Sequence, residues 1–452
     1  MDHGLPFRMP VWIDSVVKVA ATVAEYDLDR PWVRGTKASH GAGVLVGPGR
    51  VLCTADVVTD ALAVSVEGAA GRAEARVEAI NHDCDLALLR VDAEVFAGRT
   101  PVVLGDLPEL LDEVVVAGFT DDALAPELRR ATVGRIAVER YVHSQRRLLS
   151  MRLDFGLDPT FGPGPVFRDG ACIGLVVQKL TDDTACEAVP APLIAAFLAR
   201  RGAHVPALGI ATQNLGNAEL RVHVGAPAGV VVLVVDVGGS ADGILRRGDV
   251  VVAIDGQPVS SQGTIALDGQ VVGYEAALGT RAVGDRVALE IRRGGQPAGV
   301  TLVLKPWLPL VPRERHGRPP SYLVYAGLVF QPLTRDYLTT WEEWWNKGPK
   351  EFLHHYHLGR RTAAQHELIA LTQILDDDAT TGYGHLYNEL VATVDGHVPR
   401  DLADLATRLD QAHGRVVIET TSGGLLAFDA TAAHRATARV LERYEIASAS
   451  VI

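Results

Sequence analysis

Between residues 43 and 177 the chain is cut into short β-branched runs separated by turn residues, and that rhythm excludes most folds. Gly43-Val44-Leu45-Val46, then Gly47-Pro48-Gly49-Arg50, then Val51-Leu52-Cys53-Thr54 predicts a hairpin. Further runs follow at residues 64–66, 76–80, 86–91, 114–117, 148–153 and 171–177. Many short strands at close spacing predict a barrel or a sandwich. A hydrophobic content of 48% supplies the core material such a fold needs. A helix over residues 191–200 is expected to end this part of the chain.

Within it, Asp158-Pro159-Thr160-Phe161-Gly162-Pro163-Gly164-Pro165-Val166-Phe167 reads as a Gly/Pro-dense loop between two strands. Loops held by a rigid sheet present backbone groups to ligands, so this stretch predicts a site. The remaining chain is long enough for about two more domains, since 452 residues make about three of ordinary size. Lys and Arg number 43 against 55 Asp and Glu, for a net charge of −12. With no basic block, nucleic acid and anionic membrane surfaces are poor partners. No run approaches the ~20 apolar residues of a membrane span. The four cysteines, Cys53, Cys84, Cys172 and Cys186, lack paired spacing, and the N-terminus shows no apolar signal-peptide core. Together these features predict a cytoplasmic protein with free thiols.

Five stretches, at residues 41–46, 52–58, 84–89, 132–136 and 164–167, resemble in this order motifs of the HtrA/Deg family of chymotrypsin-like serine proteases. Gly41-Ala42-Gly43-Val44-Leu45-Val46 is similar to the family's Gly-Ser-Gly-Phe-Val-Ile strand. Leu52-Cys53-Thr54-Ala55-Asp56-Val57-Val58 resembles Leu-Thr-Asn-x-His-Val-Val, which carries the catalytic histidine. Cys84-Asp85-Leu86-Ala87-Leu88-Leu89 resembles Thr-Asp-Leu-Ala-Leu-Leu, which carries the aspartate, and Thr132-Val133-Gly134-Arg135-Ile136 matches a further family stretch. Gly164-Pro165-Val166-Phe167 closes the loop as the family's nucleophile loop closes.

Carried over residue by residue, the resemblance puts Asp56 at the histidine, Asp85 at the aspartate and Gly162 at the serine. Thr160 falls on the oxyanion glycine. Acyl transfer by this machinery needs a hydroxyl to attack, an imidazole to take its proton and a carboxylate to orient the imidazole. Glycine cannot attack, an ordinary aspartate is a far weaker base than imidazole at neutral pH, and Pro163 supplies no N–H. No serine lies between Met151 and Gly239 to replace the nucleophile. Cys84 and Cys172 sit in or beside apolar strands, where buried inert thiols are expected. Two aspartates as close as this fold would bring Asp56 and Asp85 repel each other. A bound cation, a neighbouring arginine or a structural ion network would relieve that, and the ion network is the favoured reading. His40 and His82 are expected to be loop or surface histidines. No metal or other cofactor is expected.

After residue 204, Leu245-Arg246-Arg247-Gly248-Asp249-Val250-Val251-Val252-Ala253-Ile254-Asp255-Gly256-Gln257-Pro258-Val259 resembles a PDZ domain of the HtrA-associated type, with a tight turn at Asp255-Gly256. The resemblance implies that Leu208, Gly209 and Ile210 form a carboxylate-binding loop for a peptide added at a sheet edge. Pro-rich residues 307–320 are expected to be extended and exposed. Tyr322-Leu323-Val324-Tyr325-Ala326-Gly327-Leu328-Val329-Phe330-Gln331-Pro332-Leu333-Thr334 resembles a signature of plant-type Deg proteases with two PDZ domains. In that branch the second, divergent PDZ is associated with oligomer assembly. Trp341, Trp344 and Trp345 suit either helix packing or a partner patch, and His354, His355 and His357 lack the spacing of a ligand set.

The expected fold is therefore mostly β with α. A chymotrypsin-like double β-barrel (1–203) precedes a PDZ domain (204–306), a linker (307–320) and a divergent PDZ domain (321–452). The expected function is that of a pseudoprotease, a homo-oligomeric scaffold that binds polypeptides or protein C-termini. The alternatives are an active HtrA-type endopeptidase with a displaced catalytic set, and a purely structural oligomer.

Overall fold

In the computed structural model the short runs close into two six-stranded barrels. The structure describes residues 11–452 apart from 69–70, 97, 121–122, 124, 156–160, 180–184, 314 and 316. The first barrel comprises β1 (Val16–Tyr26), β2 (Arg34–Gly47), β3 (Arg50–Thr54), β4 (Ala61–Gly68), β5 (Gly71–Asn81) and β6 (Leu86–Val91), in the closed order β1-β2-β3-β6-β5-β4. A single helical turn, α1 (Ala55–Val58), follows β3. The second comprises β7 (Glu113–Phe119), β8 (Glu127–Arg140), β9 (Arg147–Asp154), β10 (Gly162–Arg168), β11 (Ala171–Lys179) and β12 (Ala185–Pro190), closed as β10-β11-β12-β9-β8-β7.

Strand β6 shows how sequence becomes architecture. Its Leu-Ala-Leu-Leu-Arg-Val exposes only Arg90. Ala87, Leu89 and Val91 pack inside the first barrel, whereas Leu86 and Leu88 join the core shared with the second. The two-residue period of a strand thus feeds two cores at once. Each fully buried leucine contributes about 2 kcal/mol. The strand therefore has little freedom to slide, which fixes Asp85 at its entrance.

The helix expected over residues 191–200 is α2 (Ala191–Arg200), ended by Arg201 in the left-handed region. A six-stranded sheet follows, ordered β14-β15-β16-β20-β21, with β17 beside β16. Its strands are β14 (Ile210–Asn214), β15 (Val230–Val235), β16 (Val250–Ile254), β17 (Gln257–Pro258), β20 (Arg286–Arg293) and β21 (Gln296–Val303). Helix α3 (Ala218–Val224), the hairpin β18 (Thr264–Leu267) with β19 (Gln270–Gly273), and the pair β13 (Pro206–Ala207) with β22 (Lys305–Pro306) complete it. Asp255 and Gly256 both have positive φ, 48° and 77°, and make the expected tight turn between β16 and β17.

Residues Ala24–Thr36 and Leu308–Ile452 form a second compact unit. Its seven-stranded sheet runs β28-β27-β26-β25-β24-β23-β29. The strands are β23 (Tyr322–Tyr325), β24 (Leu328–Pro332), β25 (Ile369–Ile374), β26 (Glu389–Val394), β27 (Arg415–Thr420), β28 (Leu425–Asp429) and β29 (Ser450–Val451). Helices α4 (Arg335–Leu338), α5 (Trp344–Lys347), α6 (Lys350–Leu358), α7 (Leu402–Asp410) and α8 (Ala430–Arg443) accompany it.

One expectation needs correction, and one open choice narrows. Residues 307–320 are not uniformly exposed. Leu310 and Val311 are buried in this unit's core, and Arg313 lies 3.8 Å over the Tyr356 ring. An apolar Leu-Val pair inside a Pro-rich stretch is enough to dock it. The tryptophan cluster is mostly packing. Trp341 meets Tyr337 and Phe352, and Trp344 meets Tyr356, leaving Trp345 exposed.

Candidate functional site

Asp85 ends the turn that joins β5 to β6, with φ of 55°, a left-handed conformation that aspartate tolerates better than most residues. It is buried, and its Oδ1 accepts the Asp56 N–H at 2.9 Å. Its carbonyl accepts the Ala55 N–H at 3.2 Å. Asp85 therefore satisfies the N–H groups that open α1, which no side chain of that helix does for itself. Asp56 stands in the first turn of α1 with its side chain exposed.

Residue 162 opens β10 rather than lying in a loop. Gly162 pairs with Phe119 and Pro163 with Gly118 of β7, and the register breaks between Pro163 and Val166. The irregularity absorbs prolines that cannot donate to the ladder. A Cβ on Gly164 would lie 2.3 Å from the Ala42 Cβ, and one on Gly41 2.6 Å from a Val57 methyl. Adjacent small residues of β2 thus receive β10 and α1, which gathers the elements carrying Gly162 and Asp56. Thr160 lies outside the described residues.

An imidazole reaches this place from an unexpected element. His143, in the turn between β8 and β9, brings a ring nitrogen into a group with carboxylate oxygens of Asp56 and Asp85, all within 4.8 Å of one another. The turn is firmly held. Ser144 Oγ donates to the Asp83 carbonyl at 2.7 Å, and Gln145 N–H donates to Tyr141 O at 2.8 Å. The Arg146 guanidinium reaches Asp83 at 3.4 Å and the carbonyls of Val205 and Pro206 at 2.8 and 2.9 Å. Burial alone would raise the Asp83 pKa, yet His204 and Arg146 hold it below the ordinary carboxylate value. Sequence reasoning missed His143 because nothing local to Tyr141-Val142-His143 marks it. Only barrel closure brings that turn to Asp85.

The other residues considered from sequence fall as follows. His40 is exposed, and His82 Nδ1 lies 3.5 Å from Thr59 Oγ1. Cys53, Cys84, Cys172 and Cys186 are free and buried. Burial raises the Cys172 thiol to about 12. Burial, with the charges of Asp56 and Asp85 for Cys53 and of Asp83 and Asp85 for Cys84, raises both of those thiols well above the ordinary range. Each is a poor nucleophile as it stands. Ser144, the serine carried on the His143 turn, is 4% exposed, with its hydroxyl committed to Asp83.

Leu208 and Gly209 lead into β14, which forms an edge of its sheet among the described residues. The Leu208 carbonyl accepts from Ala241 N–H and the Gly209 carbonyl from Asp236 N–H, at 3.0 and 2.8 Å. Among the described residues neither Leu208 nor Gly209 donates its N–H to a backbone carbonyl. Gly209 has φ of 71°, and a Cβ there would lie 3.0 Å from the Gly239 Cα. Only glycine suits both demands. Ile210 begins the strand and pairs with Val235. Across from β14, the buried Tyr274 hydroxyl meets Thr212 Oγ1 at 3.0 Å. In the second unit the strand after the positive-φ pair Ala326-Gly327 is β24, flanked on both sides by β23 and β25. Strand addition has no edge there.

Comparison with known proteins agrees with this architecture. Residues 41–175 match the trypsin-like peptidase domain and residues 311–451 a PDZ domain. The chain is similar to protease Do-like 2, chloroplastic, of Arabidopsis thaliana, with 29% identity over 97% of this chain and 74% of that protein. It is also 27% identical to protease Do-like 4, mitochondrial, of the same plant, over 72% of this chain and 66% of that one. Among solved structures, an HtrA-type protease AlgW variant with a decapeptide shares the fold. Its TM-score is 0.51 at 18% identity, over 65% of this chain and 95% of that one. The expectation of a cytoplasmic protein is overturned by these relatives, which are chloroplastic and mitochondrial by name. Free thiols report a reducing environment and do not identify a compartment.

Proposed function

Because the chain belongs to the HtrA/Deg, or Do-like, family of trypsin-like proteases with PDZ domains, we propose that it is a pseudoprotease that binds polypeptides. The observation carrying this reading is the pair of substitutions in the triad, Asp56 at the histidine and Gly162 at the serine. Asp85, the residue that remains, has a structural duty in capping α1. Its retention therefore needs no catalysis to explain it. Peptide capture is assigned to Leu208, Gly209 and Ile210, where N–H groups and a sheet edge suit a terminal carboxylate on an added strand. The decapeptide bound by the AlgW relative supports this use of the family architecture. Assembly into a homo-oligomer through the second PDZ domain completes the proposal.

A second reading, an endopeptidase with a displaced catalytic set, draws support from His143 beside Asp85. Among the described residues, neither Ser144 nor any of the cysteines offers it an accessible nucleophile, since all are buried. Incubation of the purified protein with unfolded casein separates the two, beside a Gly162→Ser, Asp56→His, Thr160→Gly variant. The expected result is no cleavage by the natural protein, together with saturable binding of peptides that have a free C-terminus. Cleavage that survives purification and disappears in Asp85→Asn would overturn the proposal.

A further inference from the structure

We propose that Asp56, Asp85 and His143 form a binding site for a divalent transition-metal ion, of which Zn2+ is the best fit. The three groups offer two carboxylate oxygens and one imidazole nitrogen, all within 4.8 Å of one another. A bound Zn2+ holds such atoms at about 2.0–2.2 Å, so the ligands need to close in by only about an ångström. A mixed oxygen and nitrogen set suits Zn2+ or Mn2+ and disfavours Mg2+ and Ca2+, which take oxygen.

The ligands come from three elements fixed independently of any ion. Asp85 is held by its bonds to the first turn of α1, and His143 by a turn pinned to Asp83 through Ser144 and Arg146. Such outer support orients ligands before the metal arrives. Burial differs in a useful way across the site. Asp85 is only 4% exposed, so a cation there would be attracted in a weakly screened setting, while the exposed Asp56 gives an ion its route in. Two carboxylates and a neutral imidazole carry a charge of −2, which a divalent ion cancels. Three protein ligands would leave the fourth position of a tetrahedral ion for water. The site is built from the degenerate triad, but it stands whether or not the chain cleaves polypeptide.

The test uses the full chain stripped with EDTA and titrated with Zn2+ against a chromophoric chelator, with Co2+ as an optical probe. The wild type is expected to bind one equivalent more than His143→Gln or Asp56→Asn, or to bind that equivalent at least about 10-fold more tightly. Its Co2+ complex should show the intense d–d bands of a four-coordinate ion, which both variants lose at the same Co2+ concentration. Asp85→Asn, which keeps an acceptor for the Asp56 N–H, should behave alike, and all three should match the wild-type Tm in EDTA. Comparing variants removes any binding by His354, His355 and His357. Equal stoichiometry and affinity in the wild type and in both His143→Gln and Asp56→Asn would overturn the proposal, as would wild-type Co2+ bands as weak as those of the aqueous ion.

Discussion

Asp85 holds the first turn of α1 through both its side chain and its backbone. Its carboxylate accepts the Asp56 N–H, and its carbonyl the Ala55 N–H. Removing the side chain should therefore cost what a lost helix cap costs. Asp85→Ala is expected to destabilise the protein by about 1 kcal/mol, while Asp85→Asn stays near wild type. Urea midpoints of the two variants read that difference, and equal midpoints would remove the structural account of Asp85. Gly164 is constrained by space rather than by conformation. A Cβ would lie 2.3 Å from the Ala42 Cβ and 3.1 Å from the Ala117 carbonyl oxygen, so backbone must move to admit it. Gly164→Ala should cost about 1–3 kcal/mol through overpacking between the barrels. Gly162 differs, because among the described residues a Cβ there meets only the Phe119 carbonyl oxygen, at 3.2 Å. Serine at 162 is therefore expected to fold, with a Tm close to wild type, and only Gly164→Ala should show the large loss.

At the scale of elements, the turn 141–146 is the piece that most shapes the site. It is clamped by the buried pair of Arg146 and Asp83, at 3.4 Å. The folded pKa of Asp83 lies below its unfolded value, so its contribution to stability is present above about pH 4 and is lost as pH falls through the folded value. Asp83→Asn should lower stability at pH 7 by about 3 kcal/mol and flatten the acid limb of a plot of urea midpoint against pH. An acid limb as steep as that of the wild type would assign acid lability elsewhere. What could be read in advance follows from locality. Helix α2, the Asp255-Gly256 turn and strand β6 are written in local periodicity and turn chemistry. The triad positions rest on motif order alone, because no local periodicity or turn chemistry marks them. By contrast, the sequence of β10 reads as a loop because Gly and Pro are strand breakers in isolation, and pairing with β7 and β11 overrides that preference. His143 was invisible because its role depends on two barrels closing. At β14 a local signal survives: Gly209→Ala puts a Cβ 3.0 Å from Gly239 Cα at a φ of 71°. It should abolish binding of C-terminal peptides while casein behaviour and far-UV CD stay unchanged. Retained affinity would move the peptide site away from this loop.

The whole molecule divides in a way that domain boundaries along the chain do not capture. The tip between β1 and β2, Ala24–Thr36, belongs to the unit built by Leu308–Ile452. Three contacts within that unit account for this. Gln331 Nε2 donates to the Leu28 carbonyl at 2.9 Å, Trp32 packs edge-on against Tyr322, and Arg315 lies 4.6 Å over the Tyr26 ring. A barrel domain cut at residue 203, or a chain cut after Trp307, would therefore leave Leu28 and Trp32 without their cover. An uncovered hairpin tip opens at little cost and becomes a preferred place for nicking. Limited trypsin digestion should cleave a 1–307 fragment after Arg34 much faster than the full chain, with the rest of the fragment intact. Equal rates would mean that the contacts from Gln331, Tyr322 and Arg315 do not restrain the tip. The tip would then be free to move independently of the rest of that unit.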